Sequence, residues 1–165
     1  MLLAQAELLL PRIAAELTPD ERVAAERLVA DLPGRLAAVA DCGLPITLVH
    51  GDAHPGNARG PATAPTLLDW GDSGIGQPAR DLAHLVAHLG PADAAHVLSG
   101  AAHRWRRAVP GSDAARAARL AAPIDALAGA IAWQGFLDRI EPDERPYHQG
   151  DPAAGIRAAL RLCPG

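Results

Sequence analysis

Leucines and Ile13 recur at helical spacing through the first part of the chain, which predicts a helix over residues 2–16. Thr18-Pro19-Asp20-Glu21 then has the form of a capping box with proline at the first helical position, so a second helix is expected over 19–31. Pro33-Gly34 interrupts the pattern, and a shorter apolar-periodic piece reaches Ala40 before Cys42-Gly43-Leu44-Pro45 closes the helical region. Ile46-Thr47-Leu48-Val49 is short, rich in β-branched residues and bounded by turn residues; it predicts a buried strand, and Thr66-Leu67-Leu68 predicts another. Helical periodicity returns over 79–89, 91–109 and 113–140, the last with a break or kink at Pro123, and a final short helix is expected over 152–162. The polar, proline-rich stretch 141–146 is expected to be a surface loop. No internal repeat or separate linker occurs. The pattern predicts a mainly α fold with a small β element (α+β), organised as a single domain over 1–165.

Composition narrows this picture without changing it. A length of 165 residues suits one compact domain, and 49% hydrophobic with 21% charged residues is the ordinary globular range. All fifteen basic residues are arginine, and against nineteen acids they leave a formal charge of −4, so no nucleic-acid partner is expected. Cys42 and Cys163 are far apart and outside any CxxC spacing, which fits a reducing, cytoplasmic compartment and excludes a thiolate zinc site. The apolar N-terminal stretch lacks a basic leader and is broken by Glu7, Pro11 and Arg12, so no signal peptide is expected. No uninterrupted apolar run approaches about eighteen residues, so the expectation is a soluble protein without a membrane partner.

The unusual chemistry lies in two segments, VHGDAHPGN at 49–57 and LLDWGD at 67–72. A short apolar strand delivers Asp52 into a loop rich in glycine and proline, Asn57 follows five positions on, and a second strand ends at Asp69. This arrangement suits metal-assisted phosphoryl transfer. That chemistry needs a carboxylate to accept a hydrogen bond from the attacking hydroxyl, and hard oxygen ligands to hold magnesium against nucleotide phosphates.

HGDAHPGN at 50–57 resembles the catalytic loop of the aminoglycoside phosphotransferase and choline kinase-like enzymes, distant relatives of protein kinases. LLDWGDSGIGQPARDLA at 67–83 is similar to the same family's metal-binding segment and the helix after it. The preceding helices also resemble the start of that family's C-terminal lobe, so the likeness covers nearly the whole chain. It implies an ATP-dependent (or GTP-dependent) O-phosphotransferase acting on a small-molecule alcohol. Matched residue by residue, it implies that Asp52 is the catalytic carboxylate and that Asn57 and Asp69 hold Mg2+ beside ATP. His50 and His54 are implied to support the loop, His54 also neighbouring the phosphate, and Asp81 to brace the loop backbone. Trp70 is expected to pack under the loop and Asp72 to fix its turn.

The other histidines and motifs carry less. His84, His88, His96 and His103 fall on predicted helices, and His84 and His88 stand one turn apart without a HExxH pattern or a carboxylate partner, so no metal is expected there. Gly71-Asp72-Ser73-Gly74 is similar to the nucleophile segment of chymotrypsin-like proteases, which are all-β, so Ser73 is not read as a nucleophile. His50, Asp52 and His54 alternate as a strand-borne metal cluster would, and a metal-dependent hydrolase is a lesser alternative; Gly51, Pro55 and Gly56 argue for a loop instead.

Kinases of this kind also carry a glycine-rich phosphate loop and a strand lysine in an N-terminal lobe. Neither is found, since lysine is absent from the sequence and only about fifty residues precede His50. The expectation is a C-terminal catalytic lobe alone, weakly active or inactive as it stands, with apolar surface open to self-association. A non-catalytic, pseudokinase-like binding module is the main alternative.

Overall fold

The computed structural model describes residues 2–61 and 63–163. In chain order they form α1 (Leu2–Ile13), α2 (Pro19–Ala30), α3 (Leu32–Ala40), β1 (Thr47–Val49), β2 (Ala58–Arg59), β3 (Thr66–Leu67), β4 (Gly74–Gly76), α4 (Pro78–Ala87), α5 (Pro91–Ala108), α6 (Ala114–Leu137), α7 (Arg145–His148) and α8 (Asp151–Leu162). The fold is mainly helical with two small antiparallel sheets, the α+β class that the hydrophobic pattern predicts. The described chain divides into two compact units. One comprises the segment through Arg35 together with Pro123 onward, and the other spans Leu36–Ala122.

The first unit is built around α1, α2 and α8. The Thr18 hydroxyl accepts from the Glu21 N–H while the Glu21 carboxylate accepts from the Thr18 N–H, the reciprocal cap that fixes where α2 begins. Ile13, Leu32, Ile124, Leu127 and Ile156 are fully buried here. Gly155 is required for the packing of α8: a Cβ there would lie 2.8 Å from the Cβ of Ala130 on α6. Arg157 bonds Glu21, and Arg12 bonds Asp138 through its two terminal guanidinium nitrogens.

The second unit carries both sheets. β1 pairs with β4 in the register Thr47↔Gly76, Leu48↔Ile75 and Val49↔Gly74, and α4 packs beside β1. β2 pairs with β3, Ala58 opposite Leu67 and Arg59 opposite Thr66. Most of this unit's buried apolar residues are alanines, among them Ala79, Ala83, Ala102, Ala117 and Ala121. Burial raises the Cys42 thiol pKa.

Several details differ from the sequence-based expectations. β1 is not a buried strand: Leu48 is 59% exposed and its cross-strand partner Ile75 is 79% exposed, so one face of the pair is open. Pro33-Gly34 does not interrupt a helix, because α3 already starts at Leu32 and proline is tolerated in a first turn. α6 runs unbroken through the buried Pro123, which lacks only one ladder N–H. The stretch 141–146 is not all loop, since α7 begins at Arg145. β2, only two residues long, and β4, glycine at two of its three positions, carry too little pattern to be predicted. Length and mean composition would let α6 cross a membrane, although Arg116, Arg119 and Asp125 interrupt its apolar run. Its Ala117, Ala118, Ala121, Ile124, Leu127 and Ala130 are buried within the protein.

Candidate active site

The loop between β1 and β2 is held by the helix that follows β4. Asp81, in the first turn of α4, accepts from the His50 N–H at 2.6 Å and from the Gly51 N–H at 3.0 Å. One carboxylate thereby satisfies two backbone donors where β1 ends, each a charge-assisted bond. Gly51 sits at φ +88°, and a Cβ there would fall 2.1 Å from the Asp72 carbonyl oxygen, so only glycine permits this turn to press against residue 72.

His50 is the buried polar residue of the loop, 3% exposed. Its Nδ1 accepts from the Asp52 N–H at 3.3 Å, which assigns the remaining ring proton to Nε2, 2.8 Å from the Leu68 carbonyl. The imidazole therefore ties the loop to the end of β3. It also lies against Trp70, ring centroids 4.7 Å apart, while the indole N–H of Trp70 donates to the Leu67 carbonyl at 3.1 Å. Trp70 itself remains exposed. His54 caps a short 3-10 turn, Pro55–Asn57, by accepting from the Gly56 N–H through Nδ1 at 3.0 Å. That bond leaves the ring proton on Nε2, which lies 3.4 Å from Asp52 Oδ2 without forming a hydrogen bond to it.

Asp52 and Asn57 are brought together directly. Asn57 Nδ2 donates to both the carbonyl and the Oδ2 of Asp52, each at 3.0 Å. With its amide nitrogen engaged there, Asn57 keeps Oδ1 as the oxygen a hard cation could use. The Leu68 N–H donates to the Asn57 carbonyl at 2.8 Å, extending the β2–β3 ladder by one step, and Asp69 follows directly after this partner of Asn57. Asp69 is exposed and is the described non-glycine residue at positive φ, +58°. A left-handed aspartate costs free energy, and such strain concentrates at functional turns. An amide oxygen and a carboxylate from neighbouring strand ends fit the oxygen chemistry of Mg2+. Among the described residues, no group of three or more His, Cys, Asp or Glu is arranged to hold a metal ion, so the histidine-rich hydrolase alternative gains nothing from the geometry.

One expectation needs correction. His84 does have a carboxylate partner: its Nε2 lies 3.1 Å from Asp52 Oδ1. The partner comes from the loop rather than from the helix itself, which is why helix spacing alone did not reveal it. A usable signal existed in the sequence, since Asp81 and His84 are three apart and share one face of α4. His88, one turn further, places its ring 4.7 Å from His84 and 5.3 Å from His54.

No curated protein and no solved structure matches the chain. A family model does, over residues 2–122, well over half the chain and inclusive of the whole loop and α4; its description is phosphotransferase enzyme family. The match and the kinase-like arrangement of loop, paired strands and bracing helix agree, and the chain belongs to the phosphotransferase enzyme family.

Proposed function

We propose that this chain is the catalytic lobe of an ATP-dependent O-phosphotransferase that acts on the hydroxyl of a small molecule. The observation that carries the reading is the double donation from Asn57 Nδ2 to Asp52, which ties the amide to the carboxylate and leaves Oδ1 as the amide's ligand atom. Asp52 orients the acceptor hydroxyl and takes its proton, and Asn57 with Asp69 would hold Mg2+ against the nucleotide phosphates. Bound there, the ion neutralises charge on the phosphate oxygens. The remaining residues keep the loop in shape: Asp81 through its backbone, His50 through Leu68, and His54 through the 3-10 turn. A cytoplasmic site of action belongs to the same reading.

The test is phosphate transfer from Mg-ATP to a panel of alcohols, with Asp52→Asn as the diagnostic variant. Turnover is expected to fall about 10²- to 10⁴-fold without loss of fold by circular dichroism. Undiminished turnover in that variant would remove Asp52 from its role. Mn2+ paramagnetic resonance in the presence of ATP tests the ligand assignment, because Asn57→Ala and Asp69→Ala are each expected to weaken ion binding while Asp72→Ala leaves it unchanged.

A second reading is favoured by one observation: the 165 residues include no lysine to make a charge-assisted bond to phosphate. The loss of such a bond weakens nucleotide binding by roughly ten- to a hundredfold. A binding module that retains the loop without transferring phosphate would then show Mn-ATP binding insensitive to Asp52→Asn and no turnover dependent on Asp52.

A further inference from the structure

The carboxylate of Asp52 is approached by three side-chain nitrogens, two of them in hydrogen bonds. Asn57 Nδ2 lies 3.0 Å from Oδ2, and His54 Nε2 lies 3.4 Å from the same oxygen. Oδ1 faces His84 Nε2 at 3.1 Å. An ionised carboxylate only accepts, so His84 must present Nε2–H to it. One face of α4 thus serves the loop twice: Asp81 holds the backbone at His50 and Gly51, and His84 holds the side chain two residues on.

His84 is itself held in place. The His88 Nδ1 lies 2.9 Å from the His84 carbonyl, and its ring stands 4.7 Å from the His84 ring. The His54 ring stands edge-on to His84 at 6.3 Å and 5.3 Å from His88, so the three imidazoles form one cluster. Each carboxylate oxygen has about two acceptor positions. Oδ2 meets both the Asn57 amide and the His54 ring, whereas Oδ1 meets only His84 among these three, so Oδ1 is the oxygen with room for a hydroxyl.

We propose that His84 is a positioning residue for Asp52, clamping Oδ1 so that its second acceptor position is the one offered to the substrate alcohol. This inference rests on the reading of Asp52 as the proton acceptor. In the transfer step the alcohol O–H bond breaks and its proton passes to Asp52 Oδ1. The alcohol oxygen forms a bond to the γ-phosphorus of the nucleotide as the bond to the bridging oxygen breaks and the nucleoside diphosphate leaves with that electron pair. His84 keeps its own proton throughout.

Imidazole nitrogen-15 spectroscopy of the full chain, which has seven histidines, tests the contact without requiring turnover. His84 is expected as the Nε2–H tautomer. In Asp52→Asn the Nε2–H signal of His84 is expected to move, because the acceptor it faces changes from a carboxylate to an amide. An Nδ1–H tautomer, or an Nε2 signal indifferent to Asp52, overturns the proposal. In turnover of Mg-ATP, His84→Ala is expected to lower kcat about tenfold to a hundredfold at unchanged KM for Mg-ATP, and His84→Gln, which keeps a donor, to recover most of it. Equal loss in both variants, or no loss in either, also overturns it. Retained turnover in Asp52→Asn would instead defeat the role of Asp52 while leaving the tautomer result standing.

Discussion

The two units of this chain are held together by different physics. In the first, the large buried side chains are aliphatic: Ile13, Leu32, Ile124, Leu127 and Ile156. In the second, the buried apolar residues are mostly alanine, His50 and Ser112 are buried with them, and the loop is shaped by bonds from Asp81, His50, His54 and Asn57. Apolar burial is non-directional and tolerates exchange of shape at modest cost. A polar network is directional and fails where one partner is removed. The unit that carries Asp52, Asn57 and Asp69 uses the directional kind of interaction, and its stability is correspondingly tied to the pairing of those bonds.

The largest stability effect should therefore come from the first unit. Leu127→Ala removes a fully buried side chain and is expected to cost about 2–5 kcal/mol in urea denaturation. A cost under about 1 kcal/mol would mean that the aliphatic core is not what holds this unit. The matching change in the second unit is Asp81→Ala, which strands the N–H groups of His50 and Gly51 and is expected to cost about 1–3 kcal/mol. Turnover should fall further than that cost implies, because Asp52 moves with the loop. If Asp81→Ala lowered stability but left turnover unchanged, the contrast between the units would lose its functional half.

How much of each unit was legible in the sequence follows the same division. The helices of the first unit were readable because the capping box at Thr18–Glu21 and the leucine spacing of α1 are local signals. Asp52, Asn57, Asp69 and Asp81 could be singled out because they lie in two compact motifs, and their contacts span short distances in the fold. His84 was missed because it stands one residue past the motif at 67–83, although its separation from Asp52, 32 residues, matches that of Asp81 from His50, 31 residues. β1 was misjudged for the reverse reason. β-branched residues bounded by turns read as a buried strand, yet burial is decided by what lies opposite, and Leu48 faces Ile75 with that side open.

Surface ion pairs give the first unit a modest dependence on pH. The Arg157 hydrogen bond, assisted by the Thr18 N–H, holds the Glu21 carboxyl below its ordinary pKa, and Arg12 does the same for Asp138. Depressed carboxylates add stability that is complete above the unfolded values of about 4 and is lost as pH falls through the lower folded values. In Glu21→Gln with Asp138→Asn, the decline in urea midpoint below about pH 4 is expected to be shallower, and the midpoint at pH 7 slightly lower. An unchanged acid limb would show that both pairs are too solvated to matter.

The smallest expected effect is the sharpest check on β1. Leu48 and Ile75 face each other across the ladder on the open side of the sheet, so Leu48→Thr removes little burial and keeps a residue suited to a strand. The change in stability is expected to lie within about 0.5 kcal/mol, as for ordinary surface substitutions. The same replacement at Leu127 would strand a hydroxyl in an apolar core and act in the opposite way. A cost near that of a core truncation, measured at micromolar protein and absent on tenfold dilution, would show that this face is covered in solution by a second copy of the chain, since only an association is sensitive to concentration.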